Sequence, residues 1–408
     1  MKLYLRLAWR NIWRHRLRTL IIVLTVALVM AISFFFDGLY AGIRKSMDEN
    51  AIKLLGGNIQ IHDGEYIDLE FTPLIAVPDD QEVLTVVKDM PEVVMASRRI
   101  YTSGLASNRE GAFSVSIIGV EPENESSVSL AFQNIDAGRA LTSDDLDMVV
   151  IGRGLADAME IKVGDRFSLA GLSGHEQLRN RSMTVVGIYD VGMVDFEKST
   201  LYMSLKEAQD LYGLTLQSTE IAVWLQQTRQ VNKVVRELKT KLPDYEINTW
   251  EVNYKEFSDA LEADQFYFSI MSIIMIIIAA IGIFNLLQMA VHERTREIGI
   301  LGALGFKQRQ ITHLFLLEGL VIGLSGMLVG LLLAIAINSI MGQVGMGLGA
   351  VSEMMEAVAL ISGRIYSTLG LDKFVLRFST VLISSLLASY FPARDAARSE
   401  PAKSLHYV

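Results

Sequence analysis

The feature that most constrains this chain is the alternation of long, uncharged apolar segments with strongly charged ones. Thr19–Phe36 contains no charged residue and is long enough for a transmembrane helix. Residues 1–18 before it hold six Lys or Arg and no acid, whereas residues 37–264 hold 21 basic and 38 acidic residues. Short basic flanks remain in the cytoplasm, and long domains cross the membrane largely regardless of their charge. The pattern therefore predicts a membrane protein with a large acidic domain on the outer side.

Three more apolar segments follow the acidic region, which makes four spans in all and places both termini on the same side. We predict an α-helical membrane protein with four transmembrane helices and a large α+β extracytoplasmic domain inserted between helices 1 and 2. The predicted segments are a cytoplasmic interfacial helix (1–18), helix 1 (19–40), the outer domain (41–264, with a second lobe at 136–218), helix 2 (265–291), a cytoplasmic segment (292–310), helix 3 (311–340), an outer loop (341–373), helix 4 (374–391) and a cytoplasmic tail (392–408).

The outer domain shows the mixed signals of an α+β fold. Short runs rich in Val, Ile and aromatic residues predict strands, and stretches with helical spacing predict helices. The predicted strands are 58–62, 113–120, 148–151, 167–169, 183–189, 201–203 and 220–225, and the predicted helices are 80–90, 153–160, 205–212 and 229–241. A region of this length is able to bury a core of its own.

Motifs for catalysis and cofactor binding are missing from the sequence. There is no Gly-x-x-x-x-Gly-Lys-Ser/Thr loop for phosphates, no His-Glu-x-x-His metal motif and no Gly-x-Ser-x-Gly nucleophile elbow. The chain has no Cys, which excludes disulfides and thiol chemistry. Its basic stretches are short and lie beside the membrane, where lipid rather than nucleic acid is the expected partner. We therefore expect no catalytic residue, no metal site and no cofactor bound by this chain.

The loop between the second and third spans has a distinctive sequence, which reads ERTREIGILGALGFK over 293–307. The spacing predicts a short helix with Ile298, Leu301 and Leu304 on one apolar side. Its glycines allow close approach, and Gly305 suits a helix end. Such a helix is typical of a segment that docks in a groove of a soluble motor protein, and equally of an interfacial connector.

This loop resembles the coupling segment of the MacB/FtsX-type ABC transporter permeases, whose distinctive run is Glu-Arg-x-x-Glu-Ile-Gly-x-Leu-x-Ala-x-Gly. The N-terminal 8–18, the 150–156 run of the outer domain and the tail from Pro392 are also similar to that family, so the resemblance spans nearly the whole chain. The positions that match the loop motif, and that the resemblance implies couple to an ATPase, are Glu293, Arg294, Glu297, Ile298, Gly299, Leu301, Ala303 and Gly305.

The resemblance implies a non-catalytic permease subunit whose ATP hydrolysis takes place in a separate ABC ATPase. ATP and Mg then enter the system only through that partner. It further implies a second permease subunit, identical or different, a surrounding of membrane lipid, and a periplasmic chaperone or adaptor. The implied location is the bacterial inner membrane, with both termini cytoplasmic and the large domain periplasmic. No nucleic-acid partner is expected.

Within the family, the chain is most similar to the lipoprotein-releasing LolC/LolE branch. It begins directly at the first span, without a fused ATPase, and it carries Gly56–Ile61 shortly after that span. The implied task is the release of lipoproteins or another lipidated substrate from the inner membrane by transmission of ATPase motion to the outer domain. Two alternatives stay open: a mechanotransmitting export permease for peptides, drugs or toxins, and an FtsX-like transducer that activates cell-wall hydrolases. A passive binding protein would leave the 293–305 motif unexplained.

Small and polar residues inside the predicted spans form two further sets. Small-xxx-small pairs in span 3 predict close helix packing within the subunit or at a dimer seam, with a substrate groove as the alternative. These residues are Gly319, Gly323, Gly326 and Gly330. Asn285, Gln288 and Glu318 lie at comparable depth and predict a structural polar cluster, with a force relay as the alternative.

The outer loop 341–363 is rich in Gly and Met. Flexible Met-rich surfaces bind varied apolar ligands, so Met346, Met354 and Met355 are candidate contacts for a lipid or acyl chain. The alternative is a short capping helix between the two spans.

Overall fold

The structure is a computed structural model that describes residues 14, 16–64, 74–172, 178–214, 216–293, 298, 300, 304–347, 364–368 and 374–398. The chain divides into two compact units. The helical unit contains the described residues within 1–44, 262–347 and 364–408, and the sheet unit contains those within 45–261. Each unit has an apolar core of its own.

Long helices occur towards both ends of the chain, and short helices alternate with strands between them. The helices are α1 Arg16–Leu54, α2 Asp80–Lys88, α3 Pro122–Glu125, α4 Leu130–Gln133, α5 Arg153–Met159, α6 Val194–Ser199, α7 Leu205–Tyr212, α8 Val231–Lys241, α9 Trp250–Asn253, α10 Lys255–Glu293, α11 Gln308–Val344 and α12 Phe374–Arg398. The strands are β1 Ile59–Asp63, β2 Val93–Ser107, β3 Ala112–Val120, β4 Ile135–Gly138, β5 Met148–Gly152, β6 Arg166–Leu172, β7 Leu178–Tyr189, β8 Thr200–Ser204, β9 Glu220–Leu225, β10 Tyr245–Thr249, β11 Met346–Gly347 and β12 Arg364–Ile365.

Four of the described helices, α1, α10, α11 and α12, are long and apolar enough to cross a membrane. The first two have 39 residues each. At 1.5 Å per residue such a helix is about 58 Å long, whereas a hydrocarbon core is about 30 Å thick. Both helices therefore extend well beyond a membrane-spanning length. Hydropathy predicts only the apolar part of each helix. It does not detect the polar turns at the end of α1, which reaches Leu54, or at the start of α10, which begins at Lys255.

Ten of the described strands form one sheet in the order β10-β1-β9-β2-β3-β8-β5-β7-β4, and β6 pairs with both β2 and β7. The pairings β2–β3–β8–β5–β7–β6 return to β2, so these six strands close a ring. The long strand β2 serves both parts of the sheet, since 93–99 pairs with β9 and 100–107 pairs with β3. Closure of the ring satisfies backbone groups that an open sheet leaves unpaired at its edge.

Two apolar cores lie against this sheet. One joins the ring strands to α5 and α7, and its fully buried members include Ile117, Ile151 and Met159. The other lies where β1 and β9 pack against α2 and α8. Helix α7 follows its sequence prediction because its ends carry strong signals: the Ser204 hydroxyl accepts the Glu207 N–H, and Gly213 closes the helix in the left-handed conformation.

Within the sheet unit, the sequence patterns miss β2, β4 and β10. β2 is the longest strand, with 15 residues, but it carries adjacent Arg98 and Arg99, which local patterns assign to a surface. In the structure Arg99 is 2% exposed and pairs with the buried Glu125. An ion pair formed by a distant residue therefore allows a charged sequence to become a central strand.

Candidate functional site

The described part of the predicted coupling segment contains one buried and two exposed apolar residues. Ile298 is 4% exposed, whereas Ile300 is 46% and Leu304 is 72% exposed. The Leu304 N–H donates to the Ile300 carbonyl at 3.0 Å, so these two residues are joined by one helical turn. Ile298 and Leu304 therefore differ in burial, and Ile298 packs towards the start of α11. Its apolar contacts there are Phe306, Ile311 and Phe315.

The other motif positions are only partly described. Glu293 is the last residue of α10, and Arg294, Glu297, Gly299, Leu301 and Ala303 lie outside the described residues. Gly305 has a φ of +89° and is exposed, and the chain then enters α11. The Lys307 N–H donates to Gln310 Oε1 at 2.8 Å and so caps that helix. Sequence reasoning missed Ile300, although its spacing of four from Leu304 would have indicated a shared face.

The first glycine pair of α11 packs against α12. A Cβ atom at Gly319 would lie 2.5 Å from the Ser389 hydroxyl oxygen, and one at Gly323 would lie 2.9 Å from that of Ser385. Small residues thus face each other across the contact, which is the arrangement that lets two helix backbones approach closely in a membrane.

The second glycine pair packs against α1. A Cβ atom at Gly326 would lie 2.6 Å from the Val26 Cβ, and one at Gly330 would lie 2.5 Å from the Ala27 carbonyl oxygen. Side chains larger than hydrogen do not fit at either position without movement of the neighbouring backbone. Both predicted pairs therefore contact helices of this chain.

Helix α1 carries another small-xxx-small pair, Gly38 and Gly42, which sequence reasoning missed. A Cβ atom at Gly38 would overlap the side chain of Asn338, and one at Gly42 would overlap the carbonyl of Tyr366. The Thr368 N–H donates to the Gly38 carbonyl at 3.0 Å. The segment 364–368 therefore lies directly on α1 at these two glycines. Their spacing of four is the signal that would have found the contact.

The polar residues predicted to form one cluster occupy different environments. Glu318 is 7% exposed on α11, Gln288 is half-buried on α10, and Asn285 is exposed. Within the described ranges, no group of three or more His, Asp or Glu is arranged to hold a metal ion. Of the candidate substrate contacts, Met346 is half-buried in β11, and Met354 and Met355 lie outside the described residues.

A buried ion pair joins α1 to α12. Arg377 Nε and Nη2 donate to the two carboxylate oxygens of Asp37 at 2.6 and 2.7 Å. The side chains are 12% and 8% exposed. In this bidentate geometry each charge is paired with the other. An ionisable residue in a spanning helix needs such a partner. Sequence reasoning missed this pair. The available signal was that Asp37 directly follows the first apolar segment and that Arg377 lies near the start of the fourth.

A cavity of about 480 Å³ lies beside this ion pair, between α1 and α10. Its volume is within the range of sites that bind small ligands. The Tyr40 and Phe268 rings, 4.7 Å apart, form part of its wall. Asp37 and Arg377 are the charged residues of a lining that is otherwise aromatic, aliphatic and hydroxyl-bearing. The remaining lining residues are Phe36, Tyr267, Ser269, Met271, Ser272, Ile274, Met275 and Ile278.

The sheet unit buries a row of ionisable residues, three on neighbouring strands and Glu125 on α3. His62 Nε2 lies 3.2 Å from Glu220 Oε2, and Glu220 is the register partner of Arg99. Arg99 donates to both oxygens of Glu125 at 2.6 and 2.5 Å, and its guanidinium lies 5.2 Å from the centre of the Trp224 ring. Burial raises the pKa of the Glu125 carboxyl above its ordinary value, although Arg99 opposes this. Burial by itself would lower the pKa of Arg99. The charge and hydrogen bonds of Glu125 have the larger, opposite effect, so the pKa of Arg99 is raised.

The Gly56–Ile61 motif leads from α1 onto this row. Gly56 and Gly57 have φ values of +101° and +90°, which glycine adopts without strain. A Cβ atom at Gly56 would lie 2.8 Å from side-chain atoms of Arg99, Gln60 and Glu220. This row of ionisable residues therefore packs directly against the turn that follows α1.

Two family profiles match the chain: the MacB-like periplasmic core domain over residues 17–241 and the FtsX-like permease C-terminal region over residues 269–401. The lipoprotein-releasing system transmembrane protein LolC of Neisseria meningitidis is 24% identical over 350 residues, which cover 81% of this chain and 82% of that protein. The macrolide export ATP-binding/permease protein MacB of Pasteurella multocida is 30% identical over 137 residues, 34% of this chain and 18% of that protein. The solved periplasmic region of MacB from Actinobacillus actinomycetemcomitans aligns with a TM-score of 0.35 and 14% identity, over 49% of this chain and 92% of that one.

Four membrane-length helices and a separate sheet unit define a membrane permease with an extracytoplasmic domain. The chain belongs to the MacB/FtsX-type ABC transporter permeases, since the two profiles together match most of its length. This confirms the resemblance found in the loop motif.

Proposed function

We propose that this chain is the permease subunit of an ABC transporter that releases lipoproteins or another lipidated substrate from the inner membrane. The observation that carries the proposal is the cavity between α1 and α10. Its aromatic and aliphatic wall suits acyl chains, and the Asp37–Arg377 pair suits a polar group attached to them. The similarity to LolC, which is named for lipoprotein release, supports the same substrate class.

The cavity is accessible from the lipid side of α10. Three of its lining residues on that helix, Tyr267, Met271 and Ile278, are 65%, 63% and 64% exposed. Exposed apolar side chains of a spanning helix face hydrocarbon. An acyl chain that already resides in the bilayer therefore reaches the cavity without crossing water, as extraction of a lipid-anchored substrate requires.

Energy for extraction comes, in this proposal, from a separate ABC ATPase that binds ATP and Mg and docks on the segment after α10. Ile300 and Leu304 offer the exposed apolar contact, and Ile298 connects that contact to the first turns of α11. The related MacB protein combines ATP binding and permease in one chain by name. A second permease subunit and a periplasmic acceptor for the released substrate complete the proposed assembly, with both termini of this chain in the cytoplasm.

Site-specific photocrosslinking tests the substrate. A photoreactive phenylalanine analogue replaces Met271 in the cavity or, as the control, Leu332, which is 68% exposed on α11 and lies outside the cavity lining. Cells are fed an alkyne-labelled fatty acid, and crosslinked products are identified by mass spectrometry. We expect acylated proteins at position 271 and not at 332. Equal labelling at both positions would exclude the cavity as the substrate site.

Co-purification from native membranes in mild detergent tests the coupling segment. Leu304→Arg places a charge on the proposed docking face, and Gln308→Arg places the same charge at an exposed position at the start of α11. We expect an ABC ATPase to accompany the wild type and the Gln308 variant and to be lost from the Leu304 variant. Its absence from all three intact samples would reject the motor-coupled function.

A further inference from the structure

A second apolar cavity of the helical unit, which the proposed function does not use, lies between α11 and α12. Its volume is about 410 Å³. Ile383, Leu387 and Tyr390 in its wall are 55%, 57% and 39% exposed, so the cavity is an open groove. The lining residues are His313, Leu316, Leu317 and Leu320 of α11 and Ile383, Leu386, Leu387 and Tyr390 of α12.

The register of the two helices places basic residues at one end of this groove. Gly319 lies against Ser389, and Gly323 lies against Ser385, so α11 and α12 run antiparallel. Continued towards the start of α11, this register brings His313 level with the turn of α12 that contains Arg394.

Both helices add a basic residue one turn beyond the groove lining. Arg309 precedes His313 by four residues and Arg394 follows Tyr390 by four, which places each pair on one helix face. Arg309, His313 and Arg394 are all exposed. The nearby Glu318 is buried and is not part of the lining. Among the described side chains, the ionisable residues exposed at this end of the groove are therefore basic, and they lie next to the Tyr390 ring of the lining.

We propose that this groove binds an anionic phospholipid, with an acyl chain along the leucine-lined wall and the phosphate group at Arg309, His313 and Arg394. Basic pockets between spanning helices are suited to anionic head groups, which are abundant in the cytoplasmic leaflet. Short basic flanks also lie on the cytoplasmic side, so the charged end of the groove and the anionic leaflet coincide.

A second copy of this chain fits the groove less well. In a two-fold symmetric dimer the same patch occurs on both subunits, so the basic ends would come close to each other and repel. A lipid supplies the opposite charge instead. The site also adjoins the coupling segment, because Ile311 and Phe315, which contact Ile298, lie on the same turns of α11 as His313. Lipid occupancy therefore restrains the part of α11 that receives Ile298.

Native mass spectrometry of the full-length chain in mild detergent tests this site. The protein is titrated with phosphatidylglycerol or phosphatidylcholine that carry identical acyl chains. We expect one phosphatidylglycerol to bind with a Kd about tenfold or more below that of phosphatidylcholine. Each basic residue near a membrane surface contributes roughly a fivefold effect, so Arg309→Gln/Arg394→Gln should weaken phosphatidylglycerol binding about 25-fold.

Lys88→Gln/Lys239→Gln is the matched control, since it removes two exposed charges from the sheet unit. It should leave both Kd values unchanged. Leu317→Trp, which fills the groove, should weaken both lipids. Equal affinity of the wild type for the two lipids, or an unchanged preference in the Arg309/Arg394 variant, would overturn the proposal, as would a dimer whose formation displaces the lipid. The test is independent of the crosslinking experiment, because it uses neither the α1–α10 cavity nor an ATPase.

Discussion

The helical unit and the sheet unit differ in the kind of packing that stabilises each of them internally. Where α11 crosses α1 and α12, glycines lie against serines and backbone atoms, whereas the sheet unit fills the space between its elements with large aliphatic side chains. Hydrocarbon provides no hydrophobic driving force between helices, so close backbone approach decides which helices associate. In water, removal of apolar area from solvent is the main favourable contribution. The same chain therefore uses small residues in one unit and large ones in the other.

Both units nevertheless contain a buried bidentate arginine–carboxylate pair. Asp37–Arg377 lies beside a cavity between helices, and Arg99–Glu125 lies among packed strands. Glu125 is 0% exposed and Asp37 is 7% exposed. The comparison predicts that loss of a partner is more costly in the sheet unit, where the remaining charge has no route to solvent or to a polar ligand.

The largest expected effect is that of Arg99→Met. It leaves Glu125 buried without its cation, so we expect a loss of about 3–5 kcal/mol in the free energy of unfolding. Denaturant unfolding followed by tryptophan fluorescence, to which Trp224 beside Arg99 contributes, measures it. The double variant Arg99→Met/Glu125→Leu removes both charges and should recover most of the loss. A double variant as unstable as the single one would show that the pair matters through packing alone.

Gly330→Leu tests the packing of the helical unit. The new side chain meets the Ala27 carbonyl and Met30 at once, so we expect a loss of about 3 kcal/mol. Gly282→Leu on α10 is the control, since a Cβ atom there meets nothing within 4 Å. Thermal unfolding in detergent should separate the two variants clearly. If they were equally stable, close approach of α11 to α1 would not be what holds these helices together.

Asp37→Asn tests the ion pair of the helical unit. Asparagine keeps one acceptor for Arg377 but loses the charge, so we expect a loss of about 2 kcal/mol, smaller than that for Arg99→Met. The charge-reversed variant Asp37→Arg/Arg377→Asp should restore stability if the pair is structural only. If the charge-reversed protein is stable but crosslinks poorly at position 271, the pair contacts the substrate in addition to joining the two helices.

The smallest effect concerns Asp145 in the sheet unit. Hydrogen bonds from Arg139 and from the Thr142 backbone lower the pKa of its carboxyl. A lowered pKa in the folded state contributes stability above the unfolded pKa near 4, and this contribution is lost as the pH falls through the folded value. We expect Asp145→Asn to cost about 1 kcal/mol at pH 7 and almost nothing near pH 2. A difference that did not vary with pH would contradict this, and Asp144→Asn is the exposed control.

Local patterns in the sequence were sufficient for the four apolar spans, the family resemblance of the loop motif and the glycine pairs of α11, because each depends on composition or on spacing within a few residues. The pairing of Asp37 with Arg377 was not predictable in this way, since 340 positions separate the two residues. β2 was hidden for the same reason, because the partner of Arg99 is on α3. Ile298 looked equivalent to Leu304 by periodicity, and only the position of α11 distinguishes the buried side chain from the exposed one.

The closed ring of the sheet unit also limits how partner proteins are recognised. Strand addition, in which an extended peptide extends a sheet, requires a free edge. Along the described strand order only β10 and β4 stand at the ends, and they are five and four residues long. Such short end strands offer little edge for strand addition, so we expect a protein that binds this unit to recognise side chains on its faces and loops, with a specificity that point mutations can change.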